Sequence, residues 1–223
     1  MKQQTFVKRL TTYRHRGLKC CMAQIKKTNN TYLGNKIGLR ISYLPDGDLS
    51  VLDCYGGAGK IWAAIKRETG RQIRYLPIDK LDYGIGLYLP GENLVYLASL
   101  DLSRFNVIDL DAYGVPYHQL EVIFAKRFSG RVFVTMNQTV VGEMPHDMMI
   151  KIGFSKAIIR EAPTICFRNG WEYFMDYLAL MGVRQVVHRS KGRKHYLTFR
   201  LSGAEERAED YDSQRVKMVA SRA

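Results

Sequence analysis

Cysteine is scarce: four in 223 residues, with Cys20 and Cys21 adjacent and Cys54 and Cys166 isolated. That usage supplies neither a disulfide framework nor a zinc-ligand set, so a reducing, cytoplasmic setting with no bound metal is expected. No apolar run approaches the roughly 20 residues of a membrane-spanning helix, and no secretory pattern opens the chain. The sequence has no internal repeat. The five histidines, at 15, 118, 146, 188 and 195, have no ligand spacing and read as structural or surface residues. Acidic residues are missing from the start, where the first is Asp46.

That last absence locates the charge. The formal net charge is +13, and the first forty residues hold ten Lys and Arg, among them Arg14, Arg16, Lys19, Lys26 and Lys27. The remaining 24 Lys and Arg face 21 acids, so the excess belongs to the N-terminal part. An unopposed basic arm is the electrostatic footprint of a polyanion binder, with nucleic acid leading. A solvated basic helix and an acid-poor transit segment are the alternatives. We divide the chain into a basic arm over 1–45, a globular domain over 46–202 and a charged, flexible tail over 203–223.

Within the domain, apolar runs and helical periodicities alternate. "LSVLDCY" reads as a buried strand, and "GKIWAAIKRETG" as a helix with Ile61, Ala64 and Ile65 inward and Gly70 as C-cap. "TNNTYLGNK" reads as a loop and "KLDYGIGLYLPGEN" as irregular. "QIRYLPID", "LVYLASLD", "FNVIDLD" and "GRVFVTMN" read as strands, and "YHQLEVIFAKRF" and "WEYFMDYLALMG" as helices. "VRQVVHRS" and "KHYLTFRL", joined by "KGR", predict an antiparallel hairpin. The whole predicts an α/β fold, Rossmann-like and doubly wound, its mostly parallel sheet closed by that hairpin.

The glycine turn in "VLDCYGGAGKIW" invites a phosphate reading, because of its lysine. Cys54 stands where a P-loop needs its first glycine and Ile61 where it needs a hydroxyl, so that reading fails. No GxGxxG is present either. What remains is Asp53 at a strand end, then Tyr55, Gly56, Gly57 and Gly59.

This turn resembles the first motif of class I S-adenosylmethionine-dependent methyltransferases, especially the branch that methylates amino groups of nucleic acids. By that resemblance the glycines admit the cofactor's amino-acid end, and Asp53 favours its cationic groups. Asp79 in "YLPIDK", with Lys80 beside it, takes the place of the acid that grips the ribose. Asp101 and Leu102 in "LASLDLS" take that of the adenine contact. A helix N-cap role for these aspartates is the competing reading. "FNVIDLDAYGVP" resembles the catalytic motif of the tRNA guanine-N2 dimethyltransferase family, matching at Ile108, Asp109, Leu110, Asp111, Tyr113, Gly114 and Pro116. Ala112 stands where that family has proline. The resemblance implies catalytic roles for Asp109, Asp111, the Ala112 backbone and Tyr113. "YLGNK" is similar to the segment preceding the first motif in Dam-like DNA adenine methyltransferases, which would bring Asn35 and Lys36 to the cofactor.

The resulting expectation is an N-methyltransferase for an exocyclic amine of a nucleic-acid base, using S-adenosylmethionine, with RNA, including tRNA guanine, ahead of DNA. The arm and the basic turn with Arg189, Lys191, Arg193 and Lys194 would track phosphates. A methyltransferase-like module that binds without catalysis is the alternative, and a small-molecule or protein methyltransferase the third reading. Cys54 lacks a paired base and is not read as a nucleophile.

Overall fold

The computed structural model describes residues 32–81, 83, 86–138, 144–162 and 168–202. Seven strands form one sheet in the order β3-β2-β1-β4-β5-β7-β6. They are β1 (Leu49–Asp53), β2 (Ile73–Asp79), β3 (Leu89–Pro90), β4 (Val107–Asp111), β5 (Gly130–Asn137), β6 (Val186–Lys191) and β7 (Lys194–Leu201). β1 to β5 pair in parallel, whereas β7 lies antiparallel to both β5 and β6. This is the α/β architecture expected, hairpin included. The strand order reverses between β1 and β4, so a crevice opens where these two strands end, as in other open α/β sheets.

The two faces of the sheet are covered by different helices. Val51, Val107 and Phe133 pack against Ile37 of α1 (Leu33–Ser42) and against Trp62 and Ile65 of α2 (Lys60–Thr69). Leu52, Ile108, Leu110, Val132, Val134, Leu197 and Phe199 point the other way, in the alternation a pleated strand imposes. They meet α3 (Asn93–Ser99), α4 (Tyr117–Ala125) and α7 (Gly170–Leu180), with Met148 and Met149 of α5 (His146–Lys151) and Ile159 of α6 (Lys156–Glu161). α2 ends at Gly70, whose φ of 67° lets its N–H close on the Lys66 carbonyl, as expected of a C-cap.

Three expectations give way. "LGNKIGLRIS" is helical, not a loop, so residues 33–42 pack on the sheet although the sequence assigns them to the basic arm. Its N-cap Tyr32 makes no side-chain capping bond, and tertiary contacts through Ile37, Leu39 and Arg40 hold the helix. "LVYLASLD" is not a strand: it forms α3 and runs on into a short 3-10 turn, Leu102–Arg104. The third parallel strand of the first half is the two-residue β3, inside the segment read as irregular. The charged tail and Arg14, Arg16, Lys19, Lys26 and Lys27 of the basic arm lie outside the described residues.

Candidate functional site

β1 ends at Asp53 and β4 at Asp111, two neighbouring strands at the switch point. Beyond Asp53 the chain turns sharply: Gly59 N–H donates to the Gly56 carbonyl at 2.8 Å, and Gly57 and Gly59 have φ of 49° and 67°. Those left-handed angles explain glycine at both positions. Gly56 is required for a different reason. Its N–H donates to the Ile78 carbonyl at 3.0 Å, and a Cβ there would lie 2.4 Å from Pro77 Cβ. Gly56→Ala is therefore expected to destabilise the protein by about 1–3 kcal/mol, an overpacking cost read from urea unfolding. An unchanged midpoint would show that the turn yields.

Asp79 ends β2 and fastens the turn from the side. Its Oδ2 accepts from Gly57 N–H at 2.9 Å and its Oδ1 from Leu81 N–H at 3.1 Å. A carboxylate has about four acceptor sites, so both oxygens retain capacity for hydroxyl donors. Lys80 is exposed and pairs with Glu92 at 2.7 Å. Asp53 is buried, its Oδ1 accepting from Tyr55 N–H at 3.1 Å and its Oδ2 from Tyr75 O–H at 3.0 Å. Burial, reinforced by Asp109 and Asp111, pushes its carboxyl well above the usual range. Tyr55 is held at the same turn, its phenol pushed up to about 12, chiefly by burial.

The aspartates of β4 part company. Residues 109 and 111 share one face, two apart, and α1 crosses that face with Lys36 and Arg40, four apart. Two residues of strand advance roughly 6.6 Å and four of helix about 6 Å, so the pairs match in register. Arg40 Nε and Nη2 donate to Asp109 Oδ2 and Oδ1 at 2.7 and 2.6 Å, and Lys36 Nζ reaches Asp111 Oδ2 at 2.7 Å. Trp62 Nε1 also donates to Asp109 Oδ2, at 2.8 Å. Asp109, at 0% exposure, is thus enclosed, with both oxygens engaged in a buried ion pair. Asp111, at the strand end, keeps 14% of its side chain exposed. Burial pushes its carboxyl up, but Arg40 and then Lys36 outweigh burial and hold it below the ordinary value. Its Oδ1 makes no hydrogen bond of ordinary length and angle, and the nearby Thr135 hydroxyl adds to the lowering.

Around Asp111 the motif is laid out usefully. Ala112 N–H donates to the Leu110 carbonyl at 2.8 Å, closing a tight turn with a bond that proline could not make. Tyr113 is 80% exposed beside this edge and is no core residue. The hairpin turn stands at the same edge, because Lys194 pairs with Asn137 at the end of β5. Arg189, Lys191 and Arg193 are exposed, and Lys194 is partly covered, its Nζ lying 5.5 Å over the Tyr32 ring.

Other predicted residues fall elsewhere. Asp101 is exposed and caps the 3-10 turn, accepting from Ser103 N–H and Oγ–H at 3.1 and 2.8 Å, which also lowers its pKa. Leu102 is buried in the core. Both precede the first residue of β4, at the sheet edge opposite to Asp111, because α3 carries the chain back down the sheet. Asn35 is exposed on the first turn of α1. Lys36 is at the site, but on Asp111. Cys54 is buried with its thiol pushed up, first by burial and then by Asp53. No metal-binding cluster and no helix long and apolar enough to cross a membrane occur among the described residues. His188 and His195 meet at 3.2 Å through the hairpin and stack on Trp171.

Reading the sequence missed Asn93. It is buried at the head of α3, donating from Nδ2 to the Cys54 carbonyl at 2.9 Å and accepting from Gln119 Nε2. It thereby pins the glycine turn from beneath. Nothing in the local sequence marks it, since the bond spans 39 positions.

No family model and no curated protein matches the sequence. Among solved structures, a SAM-dependent methyltransferase from Archaeoglobus fulgidus is 12% identical with a TM-score of 0.46, covering 75% of this chain and 94% of its own. An O-methyltransferase family protein from Burkholderia thailandensis is 16% identical with a TM-score of 0.43, over 78% of this chain and 60% of its own. Precorrin-6y C5,15-methyltransferase from Geobacter metallireducens is 12% identical with a TM-score of 0.43, over 81% and 94%. These are likenesses in the arrangement of strands and helices, and the chemistry of the site rests on its own residues.

Proposed function

We propose that this protein is an S-adenosylmethionine-dependent N-methyltransferase for an exocyclic amine of a nucleic-acid base, with RNA, including tRNA guanine, favoured over DNA. The observation that carries the reading is Asp111: a charged, largely buried carboxylate at the switch-point edge, one oxygen held by Lys36 and the other making no hydrogen bond of ordinary length and angle. The cofactor fits the residues beside it. Asp53 has its carboxyl pushed well above the usual range by burial and by Asp109 and Asp111, a shift that a neighbouring cation would oppose. Asp53, Gly56, Gly57, Gly59 and Asp79 would hold S-adenosylmethionine, which when bound supplies an electrophilic methyl group on a sulfonium centre.

Asp111 Oδ1 can accept a hydrogen bond from the amine, which fixes the direction of the nitrogen lone pair; proximity and alignment then supply most of the rate. The amine gains a methyl group and sheds a proton, and a carboxylate already bonded to it is the natural first acceptor. Tyr113, exposed at the edge, offers a ring for an extruded base to stack on. The basic hairpin would hold phosphates and make binding fall with salt.

Incubation with methyl-labelled S-adenosylmethionine and total RNA or total DNA, followed by nucleoside analysis, tests this reading. Label on an exocyclic nitrogen is expected; label on a small molecule or protein instead would overturn it. The Lys36 ion pair favours a second reading, a binding module in which Asp111 is already satisfied on one side. Calorimetry with S-adenosylmethionine separates the two, since no binding would favour the module.

A further inference from the structure

The pairing register divides the basic hairpin into two faces. Asp111 is the partner of Thr135 on β5, Thr135 that of Tyr196 on β7, and Tyr196 that of Arg189 on β6. One pleat further along, Asn137 pairs with Lys194 and Lys194 with Lys191. Register partners point to the same face, and so do residues two apart on a strand. Arg189, Lys191 and Lys194 therefore share the face that carries Asp111. The opposite face anchors the hairpin. His188 and His195 stack there on Trp171 at the head of α7, His195 Nε2 meets Gln138 Oε1 at 3.3 Å, and Gln138 Nε2 donates to the Arg168 carbonyl at 3.2 Å. The three cations are thus presented from an element that is fastened on its other side.

Lys191 and Lys194 face each other across the last rung before the turn at Gly192 and Arg193. Side chains so placed are about 5 Å apart at Cβ, and like charges there weaken a hairpin. Among the described residues, none of Arg189, Lys191 and Lys194 forms an ion pair with an acid. Lys194 Nζ lies over the Tyr32 ring, and Arg189 reaches α1, its Nη1 3.7 Å from the position a Cβ would take on Gly38. Two unopposed lysines on one rung cost stability in the free protein, and an anion bound between them offsets that cost. From Asp111 to Lys194 the backbones are two strand spacings across and one pleat along, roughly 12 Å apart. An extended lysine stem covers much of that gap, and what remains is the scale of one nucleotide from base edge to phosphate. We propose that Lys191 and Lys194, closed on the inner side by Arg189, form a one-sided seat for the backbone phosphate next to the base whose amine meets Asp111. This rests on the reading of the protein as a nucleic-acid amine methyltransferase and narrows it. The hairpin does not act as a diffuse positive field, and Arg193, in the turn between the strands, takes no part in the seat. A free nucleoside, which lacks the phosphate, is then a poor substrate.

Lys191→Met and Lys194→Met remove the charges and keep an unbranched stem. Together they should weaken binding of single-stranded RNA and DNA oligonucleotides roughly tenfold and reduce the slope of log K against log salt by about 1. KM for the methylated nucleic acid should rise by a similar factor, while S-adenosylmethionine binds as in the wild type. The double variant should unfold at an equal or higher temperature, because the like-charge rung is gone. Arg193→Met should cost markedly less than either lysine substitution, and Lys66→Met, on the last turn of α2, should cost nothing measurable. If Arg193→Met or Lys66→Met weakens binding as much as Lys191→Met, the charge acts as a diffuse field and the seat is overturned. Wild-type protein that binds no oligonucleotide, or binds with no salt dependence, overturns it as well. If oligonucleotides bind through the lysine rung and yet no methyl group reaches RNA or DNA, the methyltransferase reading fails and the seat stands.

Discussion

Arg40→Ala is expected to destabilise the protein by about 3–5 kcal/mol, the cost of removing one partner of a buried ion pair. Arg40 and Asp109 are 1% and 0% exposed, joined by two charge-assisted hydrogen bonds at 2.7 and 2.6 Å. Burial by itself would lower the arginine's proton affinity; Asp109, with Asp111 and Asp53 behind it, more than reverses this. Arg40 Nη1 also donates to the Lys36 carbonyl at 3.1 Å, and its guanidinium lies 5.6 Å over the Phe133 ring. Alanine would abandon Asp109 as an uncompensated charge with only the Trp62 N–H, beside Asp53, whose carboxyl Asp109 already pushes up. Against a typical domain stability of 5–15 kcal/mol, that loss removes a third or more. The check is urea unfolding of Arg40→Ala, Asp109→Leu and the pair Arg40→Met with Asp109→Leu. The double variant should recover much of the loss, less the cost of the stranded Trp62 N–H. A loss under about 1 kcal/mol for Arg40→Ala would mean that water reaches the pair.

That ion pair marks how far the sequence could be read. The strand and turn around Asp53 were legible because three glycines can stand together only where the backbone demands them, at Gly57 and Gly59 for φ and at Gly56 for contact with Pro77. The hairpin was legible from two β-rich runs and a short turn. "VIDLD" was recognisable as a motif, yet not how deep each residue lies. Asp109 sits one strand repeat below Asp111, and that step separates a sealed ion pair from an accessible carboxylate. α1 was hidden because Gly34, Asn35 and Gly38 are poor helix formers, and the contacts that overrule them lie about seventy positions away. "LVYLASLD" was ambiguous in kind: a short apolar run fits a buried strand or a helix, and only the burial of Asn93 and Leu97 on one side shows which it is.

Asp111→Asn should reduce methyl transfer by at least about a hundredfold while S-adenosylmethionine still binds within a few-fold of wild type. The amide keeps the shape and one acceptor oxygen, but it removes the charge that Arg40 and Lys36 stabilise and presents N–H groups where an amine must donate. Asp111→Ala should abolish transfer outright, again with near-normal cofactor binding, because Asp53 and Asp79 contact the glycine turn independently of it. Retained transfer in either variant would remove Asp111 from the mechanism. Lys36→Met gives the complementary result. Lys36 lowers the carboxyl's pKa, so without it Asp111 takes up a proton at higher pH, and the acid limb of the rate profile should move upward. At a pH well above that limb the variant should stay active, because Asp111 is charged again and its Oδ2 is released. If Lys36→Met is instead inactive at every pH while still binding cofactor, the lysine acts on the substrate and not on the charge of Asp111.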